Sequence, residues 1–121
     1  MGKKILIIED TRTIPEVIKV YLLGNDYEYL QAPNGDEGLK SAARVRPDLI
    51  ISDIKMPIMD GFQFCEALKA DPAMKGIPVL LLTSLRDEAS RAEGRRVGAD
   101  GFLNKPINSA ELLKLVKSFL S

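Results

Sequence analysis

The sequence predicts an α/β fold in which five parallel strands alternate with five helices, and three observations support it. Apolar segments of strand length begin near Lys3, Asp26, Asp48, Ile77 and Ala99. The segments between them repeat apolar residues at helical spacing. Most strand segments are apolar at successive positions, as a doubly wound sheet covered by helices on both faces requires. Because strand and helix alternate, we expect parallel strands joined by right-handed crossovers.

The helices are marked by their start and stop signals. The second helix is expected to begin after an N-cap at Asn34 and to end before Pro47. Asn108 and Glu111 have the spacing of a capping box at the start of the last helix, although asparagine replaces the usual serine or threonine.

The fourth helix, residues 86–97, differs from the others. It is mostly charged, with Ala89, Ala92 and Val97 as a thin apolar stripe and Gly94 within it. A glycine inside a helix costs about 1 kcal/mol relative to alanine. We therefore expect this helix to be weakly held.

Length and composition exclude several classes of protein. The 121 residues fit one domain, 1–121, that buries roughly two-thirds of its unfolded surface. The 17 basic and 17 acidic residues leave no positive excess that would suggest binding to nucleic acid. Since the apolar runs are too short for a signal peptide or a membrane span, we expect a cytoplasmic protein without membrane insertion.

The side chains available for chemistry are equally restricted. The chain has no histidine and one cysteine, Cys65, which we expect in the core. An internal disulfide, a zinc site of several cysteines and a histidine base are therefore excluded. Any reaction must use carboxylate, hydroxyl and amine groups.

Four of the predicted strands end in polar groups suited to binding a phosphate. The runs 5–8, 49–51, 79–82 and 102–103 are followed by Glu9-Asp10, Ser52-Asp53, Thr83-Ser84 and Asn104-Lys105-Pro106. The carboxyl ends of parallel strands lie along one edge of the sheet, where open α/β sheets bind their ligands. We therefore expect three carboxylates, a hydroxyl and an ammonium in one pocket.

Such a pocket favours metal-assisted phosphoryl transfer. Glu9, Asp10 and Asp53 cannot all stay ionised at close range without a cation. Because all the ligands are oxygens, Mg²⁺ or Mn²⁺ is the expected ion. Lys105 offers a point charge to a phosphoryl oxygen, and Thr83 offers a hydroxyl donor.

Each residue also has a simpler explanation. Glu9 and Asp10 are able to stabilise the start of the first helix, and Asp53 to begin a turn. Lys105 would be an ordinary exposed lysine, and Thr83 a helix cap. Their joint occurrence at the ends of strands one, three, four and five favours a shared site.

The sequence contains four motifs: Glu9-Asp10, Asp53-Ile54-Lys55-Met56-Pro57 with Met59-Asp60-Gly61, Thr83-Ser84, and Gly98-Ala99-Asp100-Gly101-Phe102-Leu103-Asn104-Lys105-Pro106. Through these motifs the whole chain resembles a response-regulator receiver domain of bacterial two-component signalling. The resemblance implies a flavodoxin-like fold with strand order 2-1-3-4-5. It also implies that Asp53 accepts a phosphoryl group from a histidine kinase or a histidine phosphotransfer protein.

The resemblance further implies a set of metal ligands. Glu9, Asp10 and Asp53 would bind Mg²⁺ through their side chains, and Lys55 through its backbone carbonyl. Lys105 would pair with the phosphoryl group. Glu9 departs from the aspartate more frequent in the family, which lengthens one ligand without changing its charge.

A switch is implied as well. Thr83 would move toward the phosphoryl group, Phe102 would turn inward behind it, and the Lys105–Pro106 peptide bond would be cis. Phenylalanine stands at 102 where tyrosine is also common, so we expect the inward position to be favoured even before phosphorylation, since no hydroxyl needs a partner.

A phosphorylation signal must reach a partner through a surface that can adopt two arrangements. We expect this surface to extend from Arg86 through the fifth strand to the last helix, and to contact a downstream protein. The exposed charges expected on it are Arg91, Arg95, Lys114 and Lys117.

Three other functions remain open at this point. An interaction module that never needs phosphate would keep the same fold. A phosphatase of the haloacid-dehalogenase type also uses an aspartate nucleophile, but its DxD pair follows the first strand. A flavodoxin would need a phosphate loop after the first strand, where residues 9–12 begin with two carboxylates. We expect a switch that assists its own phosphorylation and dephosphorylation, and not a turnover enzyme.

Overall fold

A computed structural model describes residues 2–84 and 87–120 of the chain, and in them five strands alternate with five helices. The elements are β1 (Lys3–Ile8), α1 (Thr13–Tyr21), β2 (Tyr27–Ala32), α2 (Gly35–Val45), β3 (Leu49–Asp53), α3 (Gly61–Ala70), β4 (Val79–Ser84), α4 (Glu88–Val97), β5 (Gly101–Lys105) and α5 (Ser109–Leu120). Arg86, where both the predicted fourth helix and the predicted output surface begin, lies outside the described residues.

The strands form one parallel sheet in the order β2-β1-β3-β4-β5, which confirms the predicted topology. The winding reverses between β1 and β3, so the ligand-binding crevice is expected at their carboxyl ends. There Ile8 pairs with Ser52, Asp53 with Leu82, and β5 ends beside β4.

Two apolar cores cover the two faces of the sheet. Alternate residues of β1 enter opposite cores: Ile5 and Ile7 pack with α1 and α5, and Leu6 and Ile8 pack with α2 and α3. Cys65 is buried in the second core, as predicted. Because both faces are covered, the polar site is confined to the edge where the strands end. Within the described residues, no helix is long and apolar enough to cross a membrane.

The predicted N-caps are confirmed, but the capping box is not. Asn34 accepts a hydrogen bond from the Glu37 N–H, and Asn108 accepts one from the Glu111 N–H, both at 2.9 Å. The Glu111 carboxylate, however, accepts hydrogen bonds from Asn104 in β5. The spacing alone did not predict this use, because the competing partner lies on another element.

In α4 the predicted apolar stripe is confirmed at Val97 and wrong at its two alanines. Ala89 and Ala92 are exposed, whereas Gly94 and Val97 are buried. A Cβ on Gly94 would lie 2.5 Å from the Phe102 ring, so glycine is required for close packing of α4 on β5. Gly94, the residue that predicted a weak helix, is therefore a point at which α4 closely approaches the Phe102 ring.

Candidate functional site

The site lies at the carboxyl edge of the sheet. Glu9 and Asp10 directly follow β1, Asp53 is the last residue of β3, and Lys105 is the last residue of β5. Thr83 is the penultimate residue of β4. The structure thus brings the five residues to one edge, each placed there by the end of its strand.

Three carboxylates form the centre of the site. Each of Glu9, Asp10 and Asp53 offers one oxygen, and these oxygens lie within 4.8 Å of one another. Glu9 is 6% exposed and Asp53 is 7% exposed, whereas Asp10 faces solvent. At this separation the ionised carboxylates repel one another, and burial weakens the screening by water.

Glu9 shows most clearly the effect of burying carboxylates close together. Its Oε1 accepts hydrogen bonds from the Thr11 N–H at 3.0 Å and from the Thr11 hydroxyl at 2.9 Å. Its Oε2 is buried without a hydrogen-bond partner among the described residues. Burial, together with the neighbouring Asp53, raises the pKa of Glu9 to about 7.

These residues fit a hard divalent cation. Oxygen donors from three carboxylates suit Mg²⁺ or Mn²⁺. A cation there would give the unpartnered oxygen of Glu9 a ligand and would offset the repulsion from Asp53.

Lys105 forms an ion pair with the Asp53 carboxylate. Its Nζ donates to Asp53 Oδ1 at 2.7 Å, and the Ile54 N–H donates to the same oxygen at 2.8 Å. The Lys105 side chain is 36% exposed, so its ammonium is accessible from the pocket. The peptide bond between Lys105 and Pro106 is cis.

A cavity of about 220 Å³ opens beside Asp53 and Lys105. It is lined by Asp53, Ile54, Lys55, Leu82, Thr83, Ser84, Asp87, Ser90 and Lys105. The Thr83 hydroxyl is buried here and has no hydrogen-bond partner among the described residues. Hydrogen bonds from Ser90 lower the pKa of Asp87, with a smaller contribution from the charge of Lys55. The cavity is therefore lined by a carboxylate, an ammonium and the threonine that carries the unpartnered hydroxyl.

The loop after β3 is folded tightly against Asp53. The Gly61 N–H donates to the Ile54 carbonyl at 2.8 Å, and a Cβ on Gly61 would lie 2.3 Å from the Asp53 carbonyl oxygen. Ile58, in the same loop, has φ 71° and is 81% exposed. Only glycine permits the approach at position 61, which explains the Asp60-Gly61 part of the motif.

A family model described as the response regulator receiver domain matches residues 5–117. The chain belongs to this family. The resemblance seen in the sequence is therefore confirmed.

Known relatives and structures agree with this membership. Response regulator PleD of Caulobacter vibrioides is 39% identical over 118 residues, which make up 98% of this chain and 26% of PleD. The chain thus spans about a quarter of that relative's length. Chemotaxis response regulator CheY4 of Vibrio cholerae has a TM-score of 0.89 and 37% identity, and the match covers 99% of this chain and 100% of that one.

A second solved structure is informative about the metal. The receiver domain of a sensor histidine kinase from Pseudomonas aeruginosa has a TM-score of 0.88 and 27% identity, covering 98% of both chains. It is described with a magnesium ion coordinated in its active-site cleft.

In this receiver, the Phe102 ring packs against α4. Its ring is partly buried against Gly94 and Leu81, and the Arg91 guanidinium carbon lies 5.2 Å from the ring centroid. The predicted exchange of the ring between two positions stays a prediction.

Sequence reasoning missed one polar cluster of the receiver. Arg91, Asn104 and Glu111 are linked by hydrogen bonds across α4, β5 and α5. Arg91 had been assigned to an exposed surface and Glu111 to a cap, because the local pattern carries no information on contacts between elements. Asn104, next to Lys105 in the motif, was the one available signal.

Proposed function

We propose that this receiver accepts a phosphoryl group on Asp53 from a histidine kinase or a histidine phosphotransfer protein, and that this modification switches a partner-binding surface. One observation carries the proposal. Oxygens of Glu9, Asp10 and Asp53 lie within 4.8 Å of one another, and the Lys105 ammonium lies 2.7 Å from Asp53. The nucleophilic carboxylate of Asp53 thus lies next to a candidate cation site and to the positive charge of Lys105.

The transfer forms an acyl phosphate. A carboxylate oxygen of Asp53 bonds to phosphorus while the phosphorus–nitrogen bond of the donor phosphohistidine breaks. The electron pair of that bond returns to the imidazole, which leaves neutral if its other ring nitrogen is protonated and otherwise takes up a proton from solvent. Because this chain contains no histidine, the donor histidine must come from the partner protein.

Hydrolysis then resets the switch. A water oxygen bonds to phosphorus, and the bond between phosphorus and the Asp53 oxygen breaks. The electron pair returns to the carboxylate, inorganic phosphate leaves, and the proton of the water passes to solvent or to the phosphate. The chain returns unchanged, but its output is the lifetime of the phosphorylated form, so we describe a switch that assists both steps and not a turnover enzyme.

The residues of the site have separate tasks. Glu9, Asp10, Asp53 and the Lys55 carbonyl would hold Mg²⁺, or Mn²⁺, which when bound neutralises charge on the transferred group. Lys105 would pass from the Asp53 carboxylate to a phosphoryl oxygen.

The output is assigned to the surface formed by α4, β5 and α5. Thr83 would donate its unused hydroxyl to a phosphoryl oxygen, and Phe102 would fill the space that Thr83 leaves. The phosphorylated side chain would carry about −1.5 to −2 charges in place of the single charge of the Asp53 carboxylate, and its phosphoryl oxygens would offer new hydrogen-bond acceptors to the neighbouring polar groups. Arg91 and Arg95 on α4, with Lys114 and Lys117 on α5, would then contact the downstream protein.

Acetyl phosphate tests the proposal without a kinase. In Mg²⁺, intact-mass spectrometry should detect one added phosphoryl group on the wild-type chain. The Asp53→Asn variant and a sample in excess chelator are the controls, and both should remain unmodified. Equal modification in either control would contradict the proposed acceptor, and an unmodified wild-type chain would favour an interaction module that does not use phosphate.

A further inference from the structure

Asn104 is a backbone neighbour of both residues that the proposed function assigns to the phosphoryl oxygens. It directly precedes Lys105 in the chain, and it pairs with Thr83 in the register of β4 and β5. Asn104 belongs to an edge strand, because β5 pairs with β4 on one side and is the last strand of the sheet. Its placement therefore depends on contacts from the helices as well as on the sheet.

Two charged side chains hold Asn104 from opposite directions. Arg91 of α4 donates to Oδ1 of Asn104. The Nδ2 group of Asn104 donates to both carboxylate oxygens of Glu111 in α5, at 3.3 Å and 3.2 Å. The backbone N–H of Asn104 also donates to Glu111 Oε1, at 3.2 Å, which closes the open side of the edge strand.

The charges fix the orientation of the amide. A guanidinium binds only the oxygen of the amide, and a carboxylate accepts only from its nitrogen. Hydrogen bonds to charged groups are stronger than neutral ones, and linked bonds polarise one another. The three residues form a chain of contacts that ties the carboxyl end of β5 to α4 and α5 at once.

We propose that Asn104 is a positioning residue for Lys105. Held by Arg91 and Glu111, it fixes the end of β5, so that the Lys105 ammonium meets Asp53 and the group transferred to it. This role rests on the proposed phosphoryl transfer. It also gives the site a physical connection to α4 and α5, since any movement of Lys105 acts on a residue that both helices hold.

The chain offers a matched control at the other end of the same strand. Asp100, directly before β5, accepts hydrogen bonds from Lys69 and from the Val79 N–H, both at 2.8 Å. Asn104→Leu and Asp100→Leu each remove a polar anchor of β5. Of these two residues, Asn104 lies next to Lys105, whereas Asp100 lies at the other end of the strand.

The rate of phosphorylation by acetyl phosphate in saturating Mg²⁺ tests the role. Asn104→Leu should lower the maximal rate roughly tenfold, because small displacements of a catalytic group are costly. Its affinity for Mg²⁺ should stay unchanged, since the proposed metal ligands lie at the carboxyl ends of β1 and β3 and not on β5. Asp100→Leu should keep the wild-type rate. An equal slowing of both variants, or of neither, would overturn the positioning role.

A charge exchange provides the rescue. The Asn104 amide is able to rotate by 180°, so Arg91→Glu combined with Glu111→Arg should restore both side-chain contacts with the partners reversed. Each single substitution should slow phosphorylation, and the double variant should recover part of the rate. A double variant slower than either single variant would contradict the proposed contacts.

A second measurement does not depend on phosphorylation. Asn104→Leu should raise the hydrogen-exchange rate of the Lys105 amide about tenfold or more, and Asp100→Leu should not. Unchanged exchange at Lys105 would overturn the inference even if the wild-type chain is phosphorylated. A wild-type chain that is never phosphorylated would instead refute the proposed function, while exchange would still decide whether Asn104 fixes Lys105.

Discussion

Two lysine–aspartate ion pairs of nearly equal length lie at opposite ends of the sheet, and their surroundings differ. Lys69 contacts Asp100 at 2.8 Å at the amino end of the strands, and Lys105 contacts Asp53 at 2.7 Å at the carboxyl end. Lys69 also donates to the carbonyls of Lys75 and Ile77, and Asp100 also accepts from Val79. The pair at the amino end is therefore closed on itself.

The pair at the carboxyl end is open. Among the described residues, the one hydrogen bond of the Lys105 ammonium goes to Asp53. Asp53 in turn lies close to the carboxylates of Glu9 and Asp10. The comparison shows that the length of an ion pair does not reveal its surroundings: Lys69 has two further carbonyl partners, whereas the Lys105 ammonium has no second hydrogen-bond partner among the described residues.

The largest effect should follow from removing the lysine of the open pair. Lys105→Met should slow Mg²⁺-dependent phosphorylation by roughly 10²–10³-fold, the usual loss for a group that stabilises transition-state charge. In saturating Mg²⁺ its free energy of unfolding should change by less than about 1 kcal/mol, since the Lys105 side chain is partly exposed and a cation would offset the charge left on the buried Asp53. Phosphorylation kinetics and urea unfolding measure the two effects; a large loss of stability with a normal rate would reverse the assignment.

The pH dependence of stability should reveal the strain in the acidic cluster. The pKa of Glu9 is raised to about 7, so the folded chain retains a proton that the unfolded chain loses above about pH 4.5. The stabilisation from that proton is complete below about pH 4.5 and disappears as the pH rises through about 7. Without divalent metal, about 2 to 3 kcal/mol should be lost between pH 5 and 8.

Glu9→Gln is the matched control for that pH effect. It cannot ionise, so urea unfolding in chelator should show a shallower decline for this variant over the same pH range. Adding Mg²⁺ should restore stability to the wild-type chain at pH 8 more than to the variant. Parallel pH profiles for the two chains would contradict the account of Glu9.

The closed pair should give the opposite result from the open one. Lys69→Met removes the donor to two carbonyls and leaves Asp100 with the Val79 N–H alone, and should lower the free energy of unfolding by about 2 kcal/mol. Phosphorylation should keep the wild-type rate, because the change lies at the far end of the sheet. A slowed reaction at preserved stability would remove the distinction between the two ends.

The smallest effect on stability is expected at Thr83. Its hydroxyl is buried without a hydrogen-bond partner among the described residues, so Thr83→Val should change the free energy of unfolding by no more than about 1 kcal/mol, in the stabilising direction. The same substitution should weaken the response of amide exchange in α4 to phosphorylation of Asp53. Marked destabilisation would show that the hydroxyl contributes to folding.

Much of the fold was predictable because it is encoded in local patterns. The apolar runs gave the strands, and Asn34 and Asn108 gave two helix starts. The positions of Glu9, Asp53 and Lys105 at one edge follow from parallel strands alone.

Contacts between elements were not predictable in this way. Gly94 predicts a weak helix from local propensity alone, whereas its close contact with the Phe102 ring depends on how α4 packs against β5. The spacing offers the Glu111 carboxylate a local partner at Asn108, but in the packed structure the carboxylate accepts from Asn104 of β5. The ion pair between Lys69 and Asp100 joins residues 31 positions apart, which no helical or strand periodicity predicts.

Chemical mapping of the modified aspartate tests the central claim most directly. The chain would be treated with acetyl phosphate in Mg²⁺, reduced with borohydride, which converts an acyl phosphate to an alcohol, and then digested for mass spectrometry. We predict that reduction occurs at Asp53, and at no other carboxylate of the acidic cluster. Reduction at Glu9 or Asp10, with Asp53 intact, would contradict the account.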